Sequence, residues 1–253
     1  MKISVFASLA VGSLLVAPLT SHADLSAYSQ NFESVAPAQP PGGGSNPGLS
    51  ADDWLVYGNV FTAGGVYQYG YGSFPAPNGS AGFSGVAEEG QGGPQQGNRQ
   101  LVVYSDYNNS NAHSSGQLVE ANVFQQRTIA AGDVGTKWTF QFDAKLGNLV
   151  APTTALAFIK TLDPANGFQA SASATIDMTA IPATWGTYSI PFTITAGAGQ
   201  ILQFGFSNTA TNFNGSAIYY DNLSLAPVPE PSTYALMLAG LGLIGLAARR
   251  RGQ

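Results

Sequence analysis

The stretch YQYGYGSF, residues 67–74, spaces Tyr67, Tyr69 and Tyr71 by two and closes on Phe74. In an extended strand that period puts the side chains on one face. A row of exposed rings is a surface on which the apolar faces of sugar rings stack, with flanking Gln, Asn and Ser side chains free to meet hydroxyls. The same rings would equally pin a Gly-rich loop to a sheet. Asp221, in YYDNLSL, is the second candidate. Strand alternation groups it with Leu223 and Leu225, which are expected to face a core. A carboxylate there is costly unless it is paired or holds a metal. It would also be tolerated as a cap on backbone N–H groups, or if a bulge turned it outward.

Other polar clusters carry less. YSDYNNSNAHSSG (104–116) gathers Asp106, Asn108, Asn109, Asn111 and His113, but lacks the sixth-position glycine of an EF-type calcium loop and reads as polar turn chemistry. His113 is the sole histidine after residue 23, and the chain has no cysteine, so no zinc cluster and no cysteine nucleophile are available. A Ser-His-Asp arrangement would have to use His113, and no Gly-x-Ser-x-Gly elbow is present. Glycoside hydrolysis needs two carboxylates flanking a bond, about 5–10 Å apart. Glu88 and Glu89 are adjacent in a Gly-rich loop that fixes no such geometry, whereas Glu120, Asp106 and Asp143 would have to converge from distant segments. No phosphate-binding Gly-Lys-Ser/Thr loop exists. The sequence therefore predicts a protein that is not an enzyme.

Strands must position these residues. KWTFQFDAKL alternates cleanly, with Trp138, Phe140, Phe142, Ala144 and Leu146 on one side and Thr139, Gln141, Asp143 and Lys145 on the other. TYSIPFTIT repeats the pattern with Tyr188, Ile190, Phe192 and Ile194, and ILQFGFS with Leu202, Phe204 and Phe206. Such alternation marks strands with one face in a core and one face wet. Further strands are expected at 27–33, 54–61, 100–106, 117–126, 154–162, 170–178 and 217–225. Gly- and Pro-rich breaks at 37–48 and 88–98 read as loops. Trp54, Trp138 and Trp185 are assigned to the core. The expected fold is all-β, a single β-sandwich over residues 24–227.

The two ends are different in kind. Residues 1–23 pair Lys2 with an apolar run from Ile3 to Leu19 and end on Ser21-His22-Ala23, the pattern of a secretory signal peptide. At the other end, an uncharged run from about 232 to 248 precedes Arg249, Arg250 and Arg251. As a helix of about 18 residues it extends about 27 Å at the usual rise, close to the ~30 Å of a bilayer core. Clustered arginines stay cytoplasmic, which places everything before the span across the membrane. Between residues 24 and 229 the basic residues are Arg99, Arg127, Lys137, Lys145 and Lys160, against thirteen acidic ones. Nucleic acid is excluded as a partner by that balance. Without disulfides, the core or a metal has to hold an exported domain together.

Val228-Pro229-Glu230-Pro231, an apolar segment and Arg249 to Arg251 together resemble the PEP-CTERM sorting signal, here spanning 228–253. The resemblance implies an exported protein of a Gram-negative bacterium, tethered in the inner membrane with its main domain in the periplasm. An exosortase would then process it for the cell surface or the extracellular, exopolysaccharide-rich biofilm matrix. Asn31-Phe32-Glu33, Trp185 and Asp221-Asn222-Leu223 resemble segments of the galactose-binding-like jelly rolls used as carbohydrate-binding modules. That second resemblance implies a jelly-roll topology and one structural calcium ion held by Glu33 and Asp221 with backbone carbonyls. The expected role is a non-catalytic binder or component of exopolysaccharide. The alternatives are a matrix or adhesion protein with protein partners and, less favoured, a polysaccharide-processing enzyme.

Overall fold

The computed structural model describes residues 25–37, 49, 51–75, 84–87, 90–105, 115–210 and 215–229, without the side chains of residues 56 and 71–75. The signal peptide, the apolar segment at 232–248, Glu230, Pro231, the three arginines and the 106–114 cluster lie outside the described residues. Among those described, no helix is long and apolar enough to cross a membrane. The strands are β1 (Tyr28–Gln30), β2 (Leu55–Phe61), β3 (Tyr67–Pro75), β4 (Gly85–Ala87), β5 (Gln100–Val103), β6 (Leu118–Thr128), β7 (Lys137–Leu146), β8 (Thr154–Asp163), β9 (Gln169–Asp177), β10 (Gly186–Thr193), β11 (Ile201–Ala210) and β12 (Ile218–Pro227). All their pairings are antiparallel.

They form two sheets. The first runs β10-β7-β12-β5-β4, with β1 also paired to β12, and the second runs β3-β2-β6-β11-β8-β9. From β5 onward the chain passes between the sheets at nearly every connection, so neighbouring strands are rarely consecutive. The alternation seen in the sequence is what makes them stack. Trp138, Phe140, Phe142, Leu202, Phe204 and Phe206 are all essentially inaccessible to solvent. Phe206 stacks on Tyr220 with centroids 3.6 Å apart, meets Phe142 edge-on at 5.1 Å, and Phe140 meets Phe204 at 5.3 Å. These contacts cross between the sheets and form the centre of the core.

Two tryptophans close it. Trp54 and Trp138 are buried, and each finds an acceptor for its indole N–H, Tyr28 Oη at 3.1 Å and Thr136 Oγ1 at 2.9 Å. Trp185 is a correction: it is half-buried on the outside of the first sheet, with its N–H donated to the Gln91 carbonyl at 3.0 Å. It precedes β10, where the inward alternation begins only at Tyr188. Strand β3 is not among the expected strands, because its two glycines mask it as a loop.

Both ends of the described domain lie at one end of the sandwich. Leu25 is buried and donates its N–H to Asp133 Oδ1 at 3.2 Å, Tyr28 pairs with Leu225, and the Val228 N–H reaches the Lys137 carbonyl at 2.8 Å.

Removing one ring of the inter-sheet stack tests this core. Phe206→Ala should cost about 3–5 kcal/mol of unfolding free energy in denaturant titrations; a loss below ~1 kcal/mol would mean the stack does not hold the sheets together.

Candidate functional site

Strand β12 keeps one neighbour, β7, on one edge but changes neighbours on the other. Ile218–Tyr220 pair with β5, whereas Leu223–Leu225 pair with β1. The change is accommodated by a bulge: Asp221 lies opposite Asp143, and the next register pair is Ser224 with Gln141. Asn222 takes a left-handed φ of 49°, which asparagine tolerates better than most residues. The extra residue resets the alternation. Tyr220, Leu223 and Leu225 all face the core, so Asp221 does not share their side as strand parity alone predicted. It points to the outer face of the first sheet, beside Asp143.

There it is covered rather than solvated. Segment 91–98 folds over it, held by Gln96 Nε2 on Asp143 Oδ2 (2.8 Å) and by Asn222 Nδ2 on the Gln95 carbonyl (3.0 Å). Glu33, just past β1, accepts the N–H groups of Asn98 (2.8 Å) and Arg99 (2.9 Å) on Oε1. Arg99 in turn donates to the carbonyls of Glu33 and Val35. Gly97, with φ of 53°, is required here, since a Cβ would collide with the Glu33 carboxylate.

Asp221 is fully buried; its Oδ1 accepts the Asn222 N–H at 2.6 Å and its Oδ2 has no partner. Burial pushes its carboxyl up to about 7, against the Asn222 hydrogen bond, and the charges of Glu33 and Asp143 push the same way. Asp143 behaves oppositely: burial raises it, but hydrogen bonds from Asn222, Thr187 and Gln96 outweigh that and hold it low. Gln100 carries a second buried oxygen without a partner, Oε1. Continuing the Leu101–Tyr220 register by one residue sets Gln100 opposite Asp221. Two orphaned oxygens thus lie in the region where β5 gives way to β1, with the Glu33 carboxylate near enough to bear on Asp221, and oxygens are the ligands a hard cation uses. Among the described residues, no group of three or more His, Cys, Asp or Glu is arranged to hold a metal; the set is mixed carboxylate and amide.

The opposite face of the sandwich carries a groove of about 500 Å³ across the outer side of the second sheet. Its floor is low because Gly205 of β11 lies between Phe158 of β8 and Phe124 of β6 in the register. A Cβ at 205 would collide with the Val123 carbonyl, so no side chain can fill the gap. One wall is Tyr57 and Asn59 of β2, with the Tyr57 hydroxyl lying where a Cβ on Gly70 would be. Asn59 and Asn122 both donate to Glu120 Oε2, at 2.7 and 3.2 Å. At the other end, the tight β8–β9 turn holds Phe168 over the groove. Asp163 caps that turn through the Ala165 N–H (3.0 Å), Gly167 is left-handed, and Phe168 is 58% exposed with φ of 59°. A bulky residue in that backbone region is strained, and such strain concentrates at functional positions. Gln126, Gln203 and Lys160 form one row across β6, β11 and β8.

Sequence reasoning missed this groove, because its residues come from four strands and a turn. The available signal was the amide-rich wet face of β6 and β11, where charged or hydroxyl side chains are the commoner choice. The tyrosine row is broken instead. A register shift pairs Tyr67 with Phe61 but Tyr69 with Val60, neighbours on opposite faces of β2, so Tyr67 and Tyr69 do not share a face; Tyr71 pairs with Gly58 through its backbone. Tyr67 and Tyr69 are both exposed, and Tyr67 meets Phe61 edge-on at 5.9 Å. Glu120 and Asp143, once candidates to converge, lie on the outer faces of different sheets. Val228 and Pro229 follow β12 directly on the surface.

Residues 227–251 match the PEP-CTERM protein-sorting motif, which indicates export and exosortase processing. No curated protein matches the chain. Among solved structures, the enzymatically active domain of tailspike protein 4 of bacteriophage CBA120 is 16% identical, with a TM-score of 0.43 over 76% of this chain, which spans only 21% of that one. The C-terminal family 22 carbohydrate-binding module of Clostridium thermocellum Xyn10B is 15% identical (TM-score 0.40, 79% of this chain and 92% of that one). A third, the carbohydrate-binding module TmCBM61 in complex with β-1,4-galactotriose, is 13% identical (TM-score 0.35, 57% and 82%).

The raised Asp221 carboxyl has a sign that can be checked. Its folded-state value lies above the ordinary carboxylate range, so the folded state holds the proton more tightly than the unfolded one. In chelator, stability should therefore fall as pH rises from about 4 to about 7, and Asp221→Asn should flatten that decline in denaturant titrations at a series of pH values. An unchanged slope in the variant would assign the pH dependence elsewhere.

Proposed function

We propose that this chain is an exported, exosortase-sorted protein whose jelly-roll sandwich binds exopolysaccharide, as a non-catalytic component of a biofilm matrix at the cell surface. The groove supports this reading. It is an elongated trough with rings at its ends and floor, Tyr57, Phe124 and Phe168, and amides of Asn59, Asn122, Gln126 and Gln203 between them. Rings offer stacking surfaces to the apolar faces of sugars, and amides both donate to and accept from hydroxyls. The carboxylate of Glu120, beside Asn59 and Asn122, is occupied by those two asparagine amides. Among the described residues that line the groove no second carboxylate stands opposite Glu120, which suits binding rather than hydrolysis.

A single calcium ion at Glu33 and Asp221 belongs to the same proposal. The unpartnered Asp221 Oδ2 and Gln100 Oε1 fit an oxygen-seeking cation, which when bound would offset the charge of Glu33, Asp143 and Asp221. The ion would sit on the sheet opposite the groove, so its role there is structural. Before processing, the domain would be held at the inner membrane on its periplasmic side.

Two measurements test the proposal. The purified protein should co-sediment saturably with exopolysaccharide from its own biofilm, and Tyr57→Ala or Phe168→Ala should weaken that binding about fivefold or more; absence of binding with calcium and with chelator alike would refute it. Calcium should raise the melting temperature of the protein but not of Asp221→Ala, and an equal rise in the variant would remove Asp221 from the ion site.

A further inference from the structure

Among the described residues that line the groove, Lys160 is the one that carries a charge. It projects from β8 in the row with Gln203 and Gln126, and Gln203 Nε2 donates to Gln126 Oε1 at 3.2 Å. Its ammonium lies over the Phe158 ring, 4.3 Å from the centroid. Among the described residues, no acceptor lies within hydrogen-bond distance of Nζ. Glu120 is near enough to favour the charge, but its carboxylate already serves Asn59 and Asn122, and burial outweighs it and lowers the lysine's affinity for its proton. A half-buried ammonium resting on an aromatic face, with no hydrogen bond to another described residue, is placed to take an anionic partner.

We infer that the groove selects an anionic glycan, one whose carboxylate or sulfate group is seated on Lys160 and whose ring packs among Tyr57, Phe124 and Phe168. The inference rests on the groove being the glycan site. Neutral sugars would leave the three N–H donors of Lys160 to be met by hydroxyls, whereas a fixed anion supplies charge-assisted hydrogen bonds, roughly twice as strong. Gln203 and Gln126 stand beside it in the same row, with amide groups able to meet the remaining oxygens of such an anion. The acidic balance of the whole domain does not oppose this, because repulsion between exposed charges is screened beyond about 8 Å at physiological salt. It does make the preference local: an anionic chain would find attraction in the groove and not on the general surface.

The test is a panel of oligosaccharides presented to the purified protein at physiological salt. It contains uronic-acid chains, their methyl esters, sulfated chains and neutral chains, each scored against the wild type, Tyr57→Ala, Lys160→Met and Lys160→Arg. Glycans that depend on Tyr57 are groove ligands. These should be anionic, should lose at least about tenfold in affinity in Lys160→Met, and should be partly restored in Lys160→Arg. Methyl esters of the same chains should bind wild type and Lys160→Met alike. The uronic-acid and sulfated arms identify which anion is preferred. Groove ligands that are neutral, or anionic ligands that survive Lys160→Met undiminished, would overturn the inference while leaving the groove as a glycan site. If no glycan depended on Tyr57, the groove reading itself would fail, and this inference with it. Lys160→Met keeps the apolar arm over Phe158, and an unchanged unfolding midpoint would confirm that any loss is not one of folding.

Discussion

Strand β12 must satisfy two successive partners along one edge while keeping a single partner along the other, and the bulge at Asp221 and Asn222 makes this possible. Without the extra residue, Tyr220 and Leu225 could not both point inward, since they are an odd number of positions apart. Tyr220 carries the ring on which Phe206 of the other sheet stacks, and Leu225 anchors β1. The bulge therefore sets the register on both sides of the core. It also creates the local difficulty at the rim: a carboxylate turned outward, then sealed beneath segment 91–98 together with Glu33 and Asp143. The fold keeps that arrangement by tying the covering segment down, with Gln96, Asn222 and Thr187 all spent on Asp143.

Much of the architecture was legible in advance because strands with one wet face write their alternation plainly. KWTFQFDAKL, TYSIPFTIT and ILQFGFS all place their apolar residues in the core as the period of two requires. The failures have a common cause. At Asp221 the alternation was extrapolated through a bulge, and a single inserted residue reverses it. In Tyr67 and Tyr69 the same extrapolation crossed a register shift, so a row of rings on paper becomes two rings on different faces. Trp185 was placed by its residue type, ahead of the strand whose alternation would have placed it correctly. The groove was invisible for another reason: Gly205 matters only through what flanks it, Phe124 and Phe158, which are distant in sequence.

The two candidate sites occupy outer faces of different sheets, with the aromatic core between them. The carboxylate cluster belongs to strand ends that close the first sheet, and the groove to the middle of four strands of the second. Either could be altered with little effect on the other, because distant sites that share no partners contribute nearly additively. The separation matches the distinct demands of the two places. One must hold segments together, so its groups are engaged apart from the two orphaned oxygens; the other must receive a guest, and Phe168 stands exposed at its rim.

The sorting motif begins at the last residue of β12, a strand flanked on both edges rather than a free margin of the sheet. Tension passed along the chain from the motif enters at Pro227 and runs parallel to β12, while its hydrogen bonds to β7 and β1 lie across that direction. Such a pull loads both ladders in shear, sharing the force over many bonds at once, instead of peeling them one by one. A domain held from that strand would be loaded along its most resistant axis, as a lap joint is when its plates are pulled lengthwise.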